Sequence, residues 1–175
     1  MNMAFGGQFT ARLNMNLRED KGYTYGYRSR FEWRRAASPF LAGGSVQTAV
    51  TKEALHETLK EFRDLHGERP ITAEEFEKAK SSLIRGFPPT FETPAQVLRR
   101  VLDIAHFGLP DDYFAGHVAR LEAVRLEDVH RVAAEHVDPE RLSILIVGDR
   151  TAIEEPLREL GLPIVHLDHE GRPLD

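Results

Sequence analysis

Cysteine is absent from this 175-residue sequence, which removes disulfides, thiolate zinc sites and a thiol nucleophile together and leaves the compartment open. An excess of basic charge is missing too. The 23 Lys and Arg stand against 28 Asp and Glu, a formal net charge of −5, so no cationic field exists to draw in nucleic acid. No apolar run approaches the ~20 residues that span a bilayer, and residues 1–10 lack the basic-then-apolar layout of a signal peptide. Neither a nucleic-acid nor a membrane partner is expected. Fixed-period repeats and low-complexity segments are also lacking. What is present, 41% hydrophobic and 29% charged residues, suffices for one core, so residues 1–175 are expected to form a single domain. A helical pattern starts almost at the first residue with no strand or turn before it, as expected of a piece cut from something longer.

Phe5, Phe9, Leu13 and Leu17 fall four apart and predict a helix over residues 2–19, with Arg12, Asn16 and Arg18 turned away from its apolar stripe. Gly6 and Gly7 weaken that helix by about 1 kcal/mol each relative to Ala, which points to a close backbone approach. The period then changes. Tyr23, Tyr25, Tyr27, Phe31 and Trp33 alternate with polar residues or glycine, predicting a strand over 23–33, and residues 40–48 read as its antiparallel return.

Thr51 is placed to cap a helix with Leu55, Leu59 and Phe62 on its apolar face. Thr72 and Glu75 form a capping box, with Ile71 and Phe76 as its hydrophobic staple. Thr93 and Gln96 repeat the signal with Pro94 at the first helical position, and Val97, Leu98, Val101, Leu102 and Ala105 predict a broad buried face. Short helices are expected over 111–121, 126–136 and 151–160. The continuous apolar run 142–147 suits a central strand, and residues 161–175 suit a loosely ordered tail. The fold class is therefore α+β, an antiparallel-rich sheet with helices packed on one face.

Eight histidines, at 56, 66, 106, 117, 130, 136, 166 and 169, are the available imidazole ligands. No two are four apart, so neither His-Glu-x-x-His nor its inverse occurs, and no metal site is expected in this chain. His166, His169 and Glu170 come nearest but in the wrong order, leaving an independent hydrolase as the weakest reading. No Gly-x-Ser-x-Gly elbow supports a serine triad, and Gly6-Gly7 and Gly43-Gly44 lack the strand, turn and helix order of a phosphate loop.

The remaining chemistry lies at the junction of the first helix and the Tyr-rich strand. Arg18 at a helix end complements the helix dipole, and Tyr25 in a strand packs readily on a sheet; taken alone, the two need be no more than that. Their surroundings are more specific. The run from Gly6-Gly7 through Phe9, Arg12, Leu13, Leu17-Arg18-Glu19 to Gly22-Tyr23-Thr24-Tyr25-Gly26 resembles the segment of the insulinase and pitrilysin metallopeptidase family that carries an arginine and a tyrosine seven residues apart. Residues 71–80 and 142–149 are similar to later landmarks of that family.

The resemblance implies one half of a clamshell, the non-zinc-binding C-terminal or inactive half, and a fragment of it, since that half domain begins with strands that are not found before Gly6-Gly7. Zinc would sit in the partner half, a zinc-bearing domain or subunit. Tyr25 would act in trans as a catalytic donor to the transition state, with Arg18 and Tyr25 together as the substrate-binding pair for a peptide. This chain alone would be inactive, a homo-oligomer is one possible assembly, and bacterial relatives are often exported to the periplasm. Peptide hydrolysis gathers negative charge on the scissile carbonyl oxygen, which a phenol stabilises, and a guanidinium suits a backbone carbonyl or a terminal carboxylate. The alternative is a structural or scaffold module of the same fold with no proteolytic role.

Overall fold

The computed structural model describes residues 1–174. The predicted first helix is not one rod. A π-helical turn over Met3–Gly7 is followed by extended backbone at Gln8 and Ala11, then by α1 (Arg12–Asn14), which runs into a second π-helical turn over Met15–Asp20. Phe5, Leu13 and Leu17 stay fully buried, whereas Phe9, expected in the same stripe, is 45% exposed. Gly6 shows why the first turn is fixed so tightly. A Cβ there would lie 2.3 Å from Ser29 Oγ and 2.6 Å from Ser29 N, so the glycine permits the backbone approach its sequence position implied.

The predicted strand pair forms as β1 (Arg28–Phe31) and β2 (Phe40–Gly43), antiparallel, with Arg28 opposite Gly43 and Phe31 opposite Phe40. It is shorter than the sequence pattern; an isolated bridge between Thr24 and Val46 continues the pairing beyond a bend. Behind the pair runs α2 (Thr51–Asp64). Thr51 is its first helical residue rather than its cap, and its hydroxyl donates back to Thr48 O. Phe62 from α2 meets Phe5 edge-on at 4.9 Å, and Phe40 lies 6.2 Å from each ring. Such aromatic contacts weld the first helical turn, the sheet and α2 into one core.

Both capping boxes form as read, opening α3 (Ala73–Gly86) at Thr72 and α4 (Pro94–Phe107) at Thr93. The staple residues Ile71 and Phe76 are buried. Next come α5 (His117–Ala123), α6 (Leu126–His136) and α7 (Arg150–Arg158), with Val129, Ala133 and Val137 joining the core. Residues 166–174 turn back on themselves through a bridge from Leu167 to Pro173.

Two expectations fail together. The face of α4 predicted to be buried is open, with Val97, Leu98, Val101 and Leu102 between 42% and 58% exposed. The run 142–147 forms no ladder strand, and its Leu145 and Val147 are 76% and 91% exposed. The physical reason is shared. Among the described residues the sheet has two strands, so the run has no neighbouring strand to pair with and α4 has no sheet face to cover.

Candidate functional site

Arg18 and Tyr25 sit on either side of the turn that ends the second π-helical segment. Gly22 makes that turn with φ +66, a left-handed conformation that side chains with a Cβ resist. Its N–H donates to Arg18 O at 3.1 Å, and the Tyr23 N–H donates to Leu17 O at 2.9 Å. The helical carbonyls left open at this end are thereby satisfied, and the backbone of Arg18 is pinned.

The other flank is held by side chains. Thr24 Oγ donates to Ser45 O at 2.6 Å and accepts from Gly26 N at 3.1 Å. Fully buried Asn14 donates to Phe9 O at 2.8 Å and accepts from Tyr27 N at 3.2 Å. Gly44 lets the returning strand close in, since a Cβ there would lie 2.4 Å from Gly26 O. These contacts bend the chain at Tyr25 and break the period of two. Tyr27 turns inward, where burial pushes its phenol up against a hydrogen bond to Thr58, while Tyr25 turns outward and is 96% exposed.

Arg18 is half-buried, its side chain 34% exposed. Its guanidinium carbon lies 4.5 Å from the centre of the Phe9 ring, and its Nε is 3.5 Å from Glu19 Oε1. A cation–π contact of this kind steadies a guanidinium without using its N–H donors. Among the described residues, no hydrogen bond joins Arg18 to Tyr25 and neither side chain donates to another protein group, so both present unused donors. The sequence pattern placed Phe9 in the core and passed over Asn14. Phe9 is instead the platform under Arg18, and Asn14 ties that platform's loop to the strand beyond Tyr25; a polar residue inside an apolar helical stripe was the available signal.

The histidines do not gather. His130 Nε2 contacts Ile71 O at 2.7 Å, His166 Nε2 lies 3.3 Å from Glu154, and His169 is 89% exposed. Among the described residues no three His, Cys, Asp or Glu side chains are grouped to hold a metal ion.

Residues 1–83 match the family model described as the peptidase M16 inactive domain. The fold as a whole is similar to a solved peptidase M16 inactive domain from Pseudomonas fluorescens, at 23% identity and a TM-score of 0.71 over 80% of this chain and 33% of that one. It is also similar to the inactive peptidase domain of a "putative zinc protease" from Bordetella parapertussis, at 20% identity and a TM-score of 0.67 over 78% of this chain and 74% of that one. A protease from Helicobacter pylori shares the fold at 19% identity, with a TM-score of 0.58 over 77% of this chain and 32% of that one. The chain thus spans about a third of the Pseudomonas and Helicobacter chains. No curated protein sequence matches it.

Proposed function

We propose, for a chain whose first 83 residues match the peptidase M16 inactive domain, that it is the substrate-gripping half of a zinc-dependent peptidase whose metal ligands lie on another domain or subunit. The observation that carries this reading is the outward turn of Tyr25. A tyrosine kept only for packing buries its ring and partners its hydroxyl; Tyr25 does neither, and Thr24, Gly26 and Asn14 hold the chain in the bend that exposes it.

Each residue has a chemical task in this reading. The Tyr25 hydroxyl donates to the scissile carbonyl oxygen as negative charge gathers there, an interaction stronger in the transition state than in the ground state. Arg18, its guanidinium carbon 4.5 Å from the centre of the Phe9 ring, offers its fork to a backbone carbonyl or a chain-terminal carboxylate of the peptide. Zinc on the partner half supplies the activated water and Lewis acidity; the residues described here hold and orient the peptide.

Titrating the chain into a labelled unfolded peptide and following anisotropy tests the gripping role. Arg18→Ala is expected to weaken binding about tenfold or more, the usual worth of a charge-assisted hydrogen bond. No binding at all, or binding indifferent to Arg18, would favour a scaffold module without a part in proteolysis.

A further inference from the structure

The π-helical turn over Met15–Asp20 that carries Arg18 is gripped from outside by one face of α2. The Asn16 amide, at the start of the turn, donates to Glu57 Oε2 at 3.0 Å and to Glu61 Oε1 at 2.8 Å, and those two carboxylates stand four apart on α2, on one face of the helix. Glu61 is 1% exposed and already held by Arg69, so it is a fixed wall. Glu57 reaches further. Its other oxygen lies 3.7 Å from Nζ of Lys21, the residue that closes the turn, so one carboxylate holds both ends of the segment. This double hold depends on the backbone. In an α-helix of 3.6 residues per turn, positions five apart point about 140° away from one another. Here the Lys21 N–H donates to Asn16 O at 3.0 Å, the i+5 to i bond of a π-turn, and the wider turn presents Asn16 and Lys21 to α2 together.

We propose that Glu57 is a positioning residue for Arg18: by holding Asn16 and Lys21 at once it locks the π register, and that register seats the Arg18 guanidinium over Phe9, its carbon 4.5 Å from the ring centre. The consequence for peptide binding rests on the gripping role proposed above. A slip to the α register would rotate Lys21 away from Glu57 and turn Arg18, two residues after Asn16, off its aromatic platform. The buried Glu61 cannot set the register alone, because among the described residues it bonds to the turn at Asn16 only. Nor is the Lys21 ion pair sufficient, since an exposed pair contributes little by itself. The hold lies in the combination, a shared amide at one end and a charge at the other, both meeting one side chain.

Nuclear magnetic resonance and peptide anisotropy on the 175-residue chain test the seating of Arg18 and its consequence separately. The Arg18 Hδ protons, shifted by the Phe9 ring, should move toward free-arginine values in Glu57→Ala, while the methyl resonances of buried Ile71 stay in place. Glu57→Gln, whose Oε1 still accepts from Asn16, should keep most of the Arg18 shift. Affinity for a labelled unfolded peptide should fall about tenfold in Glu57→Ala, as in Arg18→Ala, and the double variant should bind no more weakly than Arg18→Ala alone, because Glu57 acts through Arg18. Arg18 resonances unmoved in Glu57→Ala, a change that spreads equally to Ile71, or losses that add in the double variant would each overturn the proposal. If the unmodified chain binds no peptide, the gripping role fails by itself, and displacement of Arg18 in Glu57→Ala with Ile71 unmoved would still uphold the positioning role of Glu57.

Discussion

Arg12 lays its guanidinium edge-on against Glu75, with Nε 2.5 Å from one carboxylate oxygen and an Nη 2.6 Å from the other. The same guanidinium donates to Pro70 O at 2.7 Å and to Arg69 O. Glu75 also accepts from Thr72 N at 2.8 Å, so one carboxylate closes the capping box of α3 and ties that helix to α1. Arg12 is buried although the helical pattern turned it away from the core. Its removal takes the donor from the Glu75 carboxylate and from two backbone carbonyls, and Arg12→Met should cost about 2–4 kcal/mol in urea unfolding.

The pH dependence of this tie has a definite sign. Burial opposes ionisation of Glu75, but hydrogen bonds from Arg12 and Thr72 together outweigh it and hold the carboxyl below the usual range. A depressed carboxylate contributes stability that is in place above its unfolded value of about 4.3 and is lost as pH falls through its lower folded value. The stability difference between the native chain and Glu75→Gln should therefore shrink as unfolding is followed from pH 6 down to pH 2. A constant difference would contradict the linkage.

Three glycines should respond differently to alanine. At Gly6 the new methyl meets the backbone of Ser29 at 2.6 Å, so Gly6→Ala should be the most damaging, with overpacking costing about 1–3 kcal/mol. Gly22 has open space but φ +66, so Gly22→Ala should cost about 1 kcal/mol through conformation alone. Gly43 has neither constraint, and its substitution should stay within about 0.5 kcal/mol. Thermal unfolding of the three variants gives the order directly.

The open face of α4 makes an equally sharp prediction. Leu98→Gln and Leu102→Gln should each change stability by no more than about 0.5 kcal/mol, as surface substitutions do. A face buried in the core would lose about 2–5 kcal/mol on comparable changes.

Signals complete within a few residues were legible: Thr72 with Glu75, Thr93 with Gln96, and the hairpin joining Phe31 to Phe40. Signals that depend on what lies across the fold were not. The spacing of Phe9 with Phe5 and Leu13 looks like one helix face, yet close packing of Gly6 on Ser29 ends the turn before Phe9 can join it. The alternation of Tyr23, Tyr25 and Tyr27 looks like one strand face, yet the Thr24 hydroxyl and the Asn14 amide fix a bend between them. Periodicity also reports a tendency to be buried rather than burial itself, so the apolar patterns of α4 and of residues 142–147 do not reveal that both stand open. Arg18 and Tyr25 could be picked out from the motif around them, but their support by Phe9 and Asn14 depends on contacts that no local spacing announces.

The most direct measurement is kcat for peptide cleavage by a zinc-bearing half assembled with this chain, carrying either Tyr25 or Tyr25→Phe. Tyr25 is 96% exposed, so the substitution should leave folding and assembly intact. Removal of its hydroxyl should lower kcat about 10²-fold with little change in KM, the mark of a donor used in the transition state. An unchanged kcat in a fully assembled complex would contradict the role assigned to Tyr25 and, with it, the central claim.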